Sequence, residues 1–446
     1  MKQFVKKEHQ VAAVEALAEL IRVPSVLDES DTGQGHPFGR AVVAALDKVV
    51  AICDGLGFQT FRDPEGYYAY AEVGQGSELF GILCHMDVVP AAEQKGWLSN
   101  PFEPEINEGV IIGRGTQDDK GPSMAALFAV KALIDAGVEF NQRIRFIFGS
   151  DEENLWRCLE KYNEKEEGIT QGFAPDAEFP LIYAEKGLLQ AYLVGPGSQE
   201  LALNVNGALN VVPDTASYQG TALPQIKAHL DALDFEYELT EEGLVVLGKS
   251  CHAKDAPQGK NALTRLAMAL VKEFDFAPLN LLGQVVQENA TGKNLIGKFI
   301  DEQSGELTMN FASLEITPEQ TKIGVDMRIP VTFTKEEIVE KLATKVQEFD
   351  LKYEEHDFLN SLYVPLDSEL ITNLLATYRE MTGDLTEPMI SGGATFARTM
   401  NNCVAFGAMF SDTPDYMHQA NEQWELASMY QVMDIYAEAI YRLCAK

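Results

Sequence analysis

Apolar residues recur at helical spacing over residues 11–22 and again over 39–56, where Gly55 and Gly57 stop the pattern. The period then changes. Short, strongly apolar runs at 67–73, 79–84 and 143–149 predict strands, and between the last two a helix is predicted over 122–136, closed by Gly137. Strands alternating with amphipathic helices predict a three-layer α/β domain around a largely buried sheet. Beyond residue 184 the texture differs. Strand-like runs at 201–205, 307–316 and 322–329 are interleaved with helical patterns at 223–233, 263–274 and 335–349, which predicts an inserted α+β region over 187–364. The helix–strand rhythm returns in 365–446 and ends in a long helix over 426–444.

Composition narrows the choice of partners. A chain of 446 residues exceeds what one hydrophobic core usually organises, and 46% hydrophobic content fits a globular protein. With 68 acidic against 35 basic residues the net charge of -33 repels phosphate backbones and anionic lipid, so neither nucleic acid nor a membrane surface is an expected partner. Residues 1–23 interrupt their apolar pattern with Glu15 and Glu19 and do not read as a secretory signal. No stretch reaches the ~18 uncharged apolar residues of a membrane span. The six cysteines form no Cys-x-x-Cys pair, which points to a reducing cytoplasm.

Chemistry concentrates in a few places: Cys84-His85-Met86-Asp87, Gln117-Asp118-Asp119-Lys120-Gly121, Asp151-Glu152-Glu153, Asp176 and Met417-His418. His85 and Asp151 directly follow predicted strands, where α/β sheets present their ligands. Two imidazoles and several carboxylates are what a pair of hydrolytic metal ions needs, one carboxylate being shared between ions about 3.5–4 Å apart. Asp118 suits the shared position, because the Gly-rich Gly113-Arg114-Gly115-Thr116 stretch lets backbone come close. Glu152-Glu153 offers one ligand and one free base. This ligand set brings His418 beside His85, so segments 1–186 and 365–446 are expected to form one discontinuous domain around the insertion.

The motifs His85-Met86-Asp87-Val88-Val89-Pro90, Gly113-Arg114-Gly115 through Asp118-Asp119-Lys120-Gly121, Asp151-Glu152-Glu153 and Ala174-Pro175-Asp176-Ala177-Glu178-Phe179-Pro180 resemble the co-catalytic zinc exopeptidases that include carnosinase, aminoacylase and bacterial peptidase V. The peptidase V branch, with dipeptidases of the Xaa-His and β-Ala-Xaa type, is nearest, through Gly248–His252 and the Ser391-Gly392-Gly393-Ala394-Thr395 turn. The resemblance spans essentially the whole chain. It implies a zinc-exopeptidase-like catalytic domain carrying an inserted lid. One Zn2+ would be held by His85, Asp118 and Asp176, the other by Asp118, Glu153 and His418, with Mn2+ or Co2+ as alternatives. Asp87 would orient His85, Glu152 would act as general base, and the Asp118–Asp119 peptide would be cis. From the lid, His252 would stabilise the oxyanion, while Asn210, Arg328, Gly392 and Gly393 would bind substrate. The long lid implies a monomer.

The expected activity is therefore hydrolysis of unblocked dipeptides through a metal-activated water. An aspartate at position 176 tilts the resemblance towards free-amino substrates and away from N-acyl amino acid deacylases. A catalytically silent zinc or peptide-binding protein is a third reading, and the presence of Glu152 argues against it. Taken singly, several of these residues have plainer explanations. Asp151-Glu152-Glu153 alone would be a solvated helix start, His252 a solvent-facing residue, Arg328 an edge-strand salt-bridge partner and Asn210 a turn residue. Cys84 and Cys251 adjoin the key histidines, but strand neighbours point to opposite faces.

Overall fold

The computed structural model describes residues 2–91 and 95–446; Met1 and 92–94 lie outside the described residues. The chain divides into two compact units. One comprises Met1–Tyr183, Tyr363–Met389 and Ala394–Lys446, the other Ala184–Leu362 and Ile390–Gly393.

In the first unit, the apolar run Leu79–His85 is buried along its whole length, as befits a strand covered on both faces. It pairs in parallel with Arg143–Gly149 on one side and Gln171–Ala174 on the other, and Gln171–Ala174 pairs in parallel with Cys403–Ala405. Antiparallel strands Tyr68–Gly74 and Gln59–Arg62 extend the sheet beyond Arg143–Gly149. Because the central strands run the same way, their C-terminal ends share one side of the unit. His85 ends one strand and registers with Gly149, which ends its neighbour.

The helix predicted over 122–136 spans Lys120–Asp135 and is nearly all buried, packed against Lys7–Ile21 and Leu426–Cys444. It starts earlier than the pattern suggests because Pro122 falls in the first turn, where its missing N–H costs nothing. Asp119 stands at its N-cap, so Asp118 sits just ahead of a buried helix.

The second unit is built on an antiparallel five-stranded sheet in the order Leu203–Val205, Thr308–Ile316, Gln320–Ile329, Gly187–Pro196, Lys352–Leu359. Along Gln320–Ile329 the side chains of Ile323, Val325, Met327 and Ile329 enter the unit's core. Alternation sends Asp326 and Arg328 to the opposite face, where both are also buried. Helices Leu223–Leu233 and Ala262–Leu270 contribute Ile226, Leu230, Leu263 and Leu266 to the same core. Beside the expected limits of 187 and 364, the unit runs from Ala184 to Leu362. It also includes Ile390–Gly393, tied in by the Lys186 amide donating to the Ser391 carbonyl at 3.0 Å and by Arg328 Nη1 donating to the Gly392 carbonyl at 2.7 Å. Among the described residues no helix is long and apolar enough to cross a membrane.

Helix Lys335–Gln347 shows how local sequence sets one boundary. The Thr334 hydroxyl accepts from the Glu337 amide at 3.3 Å, and the Glu337 carboxylate accepts from the Thr334 amide at 2.8 Å. This reciprocal pair satisfies two otherwise orphaned donors. Thr334→Ala should destabilise the second unit by about 1 kcal/mol, read as a lower urea midpoint; an unchanged midpoint would mean that the pair contributes nothing.

Candidate dinuclear metal centre

Three loops leave the C-terminal ends of neighbouring parallel strands, and each carries candidate ligands. His85 closes Leu79–His85, Asp151-Glu152-Glu153 follows Arg143–Gly149, and Asp176 follows Gln171–Ala174. The acidic triplet is a turn rather than a helix start, since the next helix begins only at Arg157. Asp151 itself is a structural group. It takes a two-pronged bond from Arg157 through Nε (2.7 Å) and Nη2 (2.8 Å), and accepts from the Arg157 amide.

Two triads converge on Asp118. His85, Asp118 and Asp176 form one, Asp118, Glu153 and His418 the other, with the candidate ligand atoms of each within 4.8 Å of one another. His85 Nε2 lies 2.9 Å from Asp118 Oδ1 and 3.7 Å from Asp176 Oδ2. His418 Nε2 lies 2.9 Å from Asp118 Oδ2 and 3.1 Å from Glu153 Oε2. Asp118 thus turns one oxygen to each imidazole, as a carboxylate shared between two ions would. One nitrogen and two carboxylates per triad suit zinc, and the same donors accept manganese or cobalt. The residues fit a metal pair.

Neighbouring groups fix the ligands. His85 Nδ1 lies 3.0 Å from the Asp87 carbonyl and 3.5 Å from Asp87 Oδ1, which leaves Nε2 to face the triad. Asp87 Oδ2 accepts from the Glu153 amide at 3.1 Å, so one aspartate steadies a ligand of each triad. His418 has φ +61°, a left-handed conformation uncommon for a residue with a side chain and frequent where function holds it. The Asp118–Asp119 peptide is cis.

The electrostatics describe a pocket that demands cations. Burial opposes charge on His85, yet hydrogen bonds with Asp118 and Asp87 outweigh it and hold the imidazole well above its ordinary value. Asp118 and Glu153 push His418 up to about 11. Burial opposes ionisation of Asp118 as well, but its bonds with His418 and His85 hold it below the usual carboxylate range. Burial first, then neighbouring carboxylates, push Asp176 and Glu152 well above that range; for Glu152 the neighbours are Asp176, Glu153 and Asp118, with His85 opposing them. Cations in the triads would reverse much of this, returning the imidazoles to neutrality and the carboxylates to their ionised forms.

Much of the acidic motif proves to be scaffold. Of Asp118-Asp119-Lys120-Gly121, only Asp118 belongs to a triad. Asp119 Oδ2 accepts from the His85 amide (3.1 Å) and the Ser123 hydroxyl (2.8 Å). Lys120, fully buried, donates to the carbonyls of Leu20 (3.0 Å) and Val23 (2.9 Å), and burial lowers its pKa to about 7. Gly121 lies so close to the Thr116 carbonyl that any Cβ would collide with it.

The remaining candidates lie in the second unit. Arg328 donates through Nε (2.8 Å) and Nη2 (3.1 Å) to Asp326, and through Nη1 to the Gly392 carbonyl. These bonds use three of its five guanidinium donors. Asp326 is itself held by Gln190 Nε2 at 2.9 Å. The Gly393 amide already donates to Ser391 Oγ at 2.9 Å, so this turn is a less open receptor than its glycines suggest. His252 Nδ1 accepts from the Lys254 amide at 3.1 Å, which assigns the ring proton to Nε2. Burial, Arg328 and Lys254 lower the His252 pKa, so the ring is a neutral donor. The Asn210 carbonyl accepts from the Ala253 amide at 2.8 Å, placing exposed Asn210 beside His252. Cys84 is core.

Three comparisons bear on these observations. Residues 81–442 match the profile described as Peptidase family M20/M25/M40. A Staphylococcus aureus (strain MW2) protein named "Putative dipeptidase MW1694" is 34% identical over 469 aligned residues, covering 99% of this chain and 98% of the relative. Among solved structures, aminoacylhistidine dipeptidase from Vibrio alginolyticus superposes with a TM-score of 0.62 at 12% identity, covering 98% of this chain and 97% of that one. Human carnosine dipeptidase 1 gives 0.56 at 16%, covering 97% and 96%. At these identities the two structures speak for the shared fold, an α/β architecture like that expected from the sequence.

The raised imidazole pKa values carry a linkage. At neutral pH the metal-free pocket holds protons on His85 and His418, and metal ions must displace them. Metal affinity should therefore weaken as pH falls. Uptake at pH 7 should release at least the two imidazole protons per chain, with any held by the raised carboxylates in addition, measured by titration calorimetry in buffers of different ionisation enthalpy. Release of none would contradict the histidine assignment.

Proposed function

Since the chain belongs to the M20/M25/M40 peptidase family, we propose that it is a dizinc dipeptidase hydrolysing unblocked dipeptides. The observation that carries this reading is the pair of triads sharing Asp118, with Glu152 beside the ligand Glu153. His85, Asp118 and Asp176 would hold one ion, and Asp118, Glu153 and His418 the other. Divalent ions bound there supply Lewis acidity, activating water and polarising the peptide carbonyl.

The chain's own groups do the rest. Glu152 takes a proton from the attacking water and delivers it to the leaving amine. Asp87 keeps Nε2 of His85 in place. His252, with its proton on Nε2, donates to the developing oxyanion. The outward edge of Arg328, preset by Asp326, pairs with the substrate's terminal carboxylate, and Asn210, Gly392 and Gly393 shape the same receptor. Either Asp87 or Asp176 receives the free amine, which favours a dipeptide over an N-acyl amino acid. The protein works as a monomer in this reading. Six cysteines, none of them joined in a disulfide, suit a reducing cytoplasm.

Glu152→Gln should retain its metals and lose ~10² to 10⁴ fold in kcat, the usual contribution of a general acid–base group. Near-normal turnover by metal-replete enzyme would remove Glu152 from this role. His252→Ala should lose ~10² to 10³ fold, and mixing the two variants should recover nothing if each chain uses its own histidine.

Fixing the substrate at both ends has a kinetic signature. Dipeptides should be cut well, and the matching tripeptides, dipeptide amides and N-acetyl dipeptides poorly. Arg328→Ala should selectively abolish the distinction between a dipeptide and its amide. Equal kcat/KM across the series would refute recognition of the two ends while leaving the metal chemistry intact.

A further inference from the structure

Glu422 has no exposed surface, yet it belongs to neither triad. Its carboxylate collects donors from the stretch that delivers the shared ligand. Oε2 accepts from Arg114 Nη1 at 2.7 Å and from the Gly115 amide at 3.0 Å. Oε1 accepts from the amides of Gln117 at 2.8 Å and Asp118 at 3.2 Å. The placement follows from a short antiparallel ladder. Strand Gln423–Glu425 pairs with Val110–Ile112, and the Gly113 amide donates to the Glu422 carbonyl at 2.9 Å. Glu422 is thereby pressed against residues 113–118 as they leave the ladder.

The same segment carries His418. Its loop is fastened to the other side of the stretch by Gln117, whose Nε2 donates to the Pro414 carbonyl at 3.0 Å and whose Oε1 accepts from the Tyr416 amide at 2.9 Å. A four-donor receptor filled by one carboxyl side chain is stiff, since moving the chain at residue 118 leaves buried N–H groups short of an acceptor.

We propose that Glu422 is a positioning residue for the metal pair. By gripping the backbone of Gly115, Gln117 and Asp118, it sets the two oxygens of Asp118 at once towards His85 and towards His418. It touches neither substrate nor metal. The proposal rests on the dinuclear reading and goes beyond it by assigning the geometry of the shared ligand to a residue outside both triads.

The test uses the full-length protein loaded with Mn2+, whose exchange coupling in electron paramagnetic resonance reports a bridged pair. Wild type should show a coupled pair. In Glu422→Gln, which places an amide where buried N–H groups need an acceptor, the coupling should weaken or vanish. Affinity for the second ion, measured against a chromophoric chelator, should fall ~10 to 100 fold, as it does when ligand-orienting groups are lost. The kcat should fall and KM stay near its wild-type value. Glu422→Asp, which keeps the charge on a shorter arm, should lie between the two, and it carries the same measurements if the glutamine variant does not fold.

Leu133→Ala, which truncates a buried side chain in the second half of helix Lys120–Asp135, controls for plain loss of stability. It should lower Tm without altering coupling or affinity. A folded Glu422 variant with wild-type coupling and affinity, whatever its Tm, would overturn the positioning role alone. An uncoupled wild-type protein would overturn the dinuclear reading together with it.

Discussion

Mutual repulsion among carboxylates is the constraint around which the first unit is arranged. Burial first, then mutual repulsion, pushes up Glu152, Glu153 and Asp176, while His85 and His418 hold Asp118 down. Two like charges ~4 Å apart cost ~4 kcal/mol at an effective dielectric of ~20, so several such pairs rival the net stability of a domain. Protonation relieves this repulsion in the metal-free pocket, and bound cations would compensate it in the loaded one. The strands beneath the pocket are accordingly apolar and buried along their length. Leu79–His85 and the last six residues of Arg143–Gly149 have no exposed position, giving a rigid sheet that can hold like charges together without yielding.

Rigidity of the sheet alone would not place Asp118 or His418, which come from loops rather than strand ends. Buried polar contacts take over there. Asp119 fastens the start of its helix to the His85 amide, Lys120 ties the same turn to the carbonyls of Leu20 and Val23, and Glu422 grips residues 114–118. Each is an ionisable side chain removed from water, costly unless its partners are complete. Their expense is understandable where an oxygen must be held to within about 0.5 Å.

The sequence conveyed the first unit's strands because they are short apolar runs bounded by turns, and the triads were legible through the resemblance of the motifs around His85, Asp118, Glu153 and Asp176 to the zinc exopeptidases. Glu422 was illegible. In Asn421-Glu422-Gln423 it looks like surface, and its main partner, Arg114, lies 308 residues away, beyond the reach of any local period. Asp326 escaped for a related reason. Alternation puts it on the same strand face as Arg328, but only the folded chain reveals that this face is buried and that Asp326 holds the guanidinium from both Nε and Nη2. In the acidic motif after Gln117 the sequence assigned a ligand role to Asp118 alone, and the other three residues build the turn that lets it point at the imidazoles.

These contacts close on themselves. His85 is oriented by Asp87; Asp87 holds the amide of Glu153; Glu153 meets His418; the chain from His418 leads to Glu422; Glu422 grips Asp118; and Asp118 returns to His85. A closed circuit of this kind has fewer independent motions than the same bonds arranged as a branched tree, because displacing one ligand strains every other link. The ligands are thus ordered before any ion arrives, so little conformational entropy remains to be lost on binding. Binding strength then depends chiefly on charge, proton release and desolvation. Such a site would place two cations, if it binds them, where the protein decides, and that is the property the proposed attack of water on a peptide carbonyl would require.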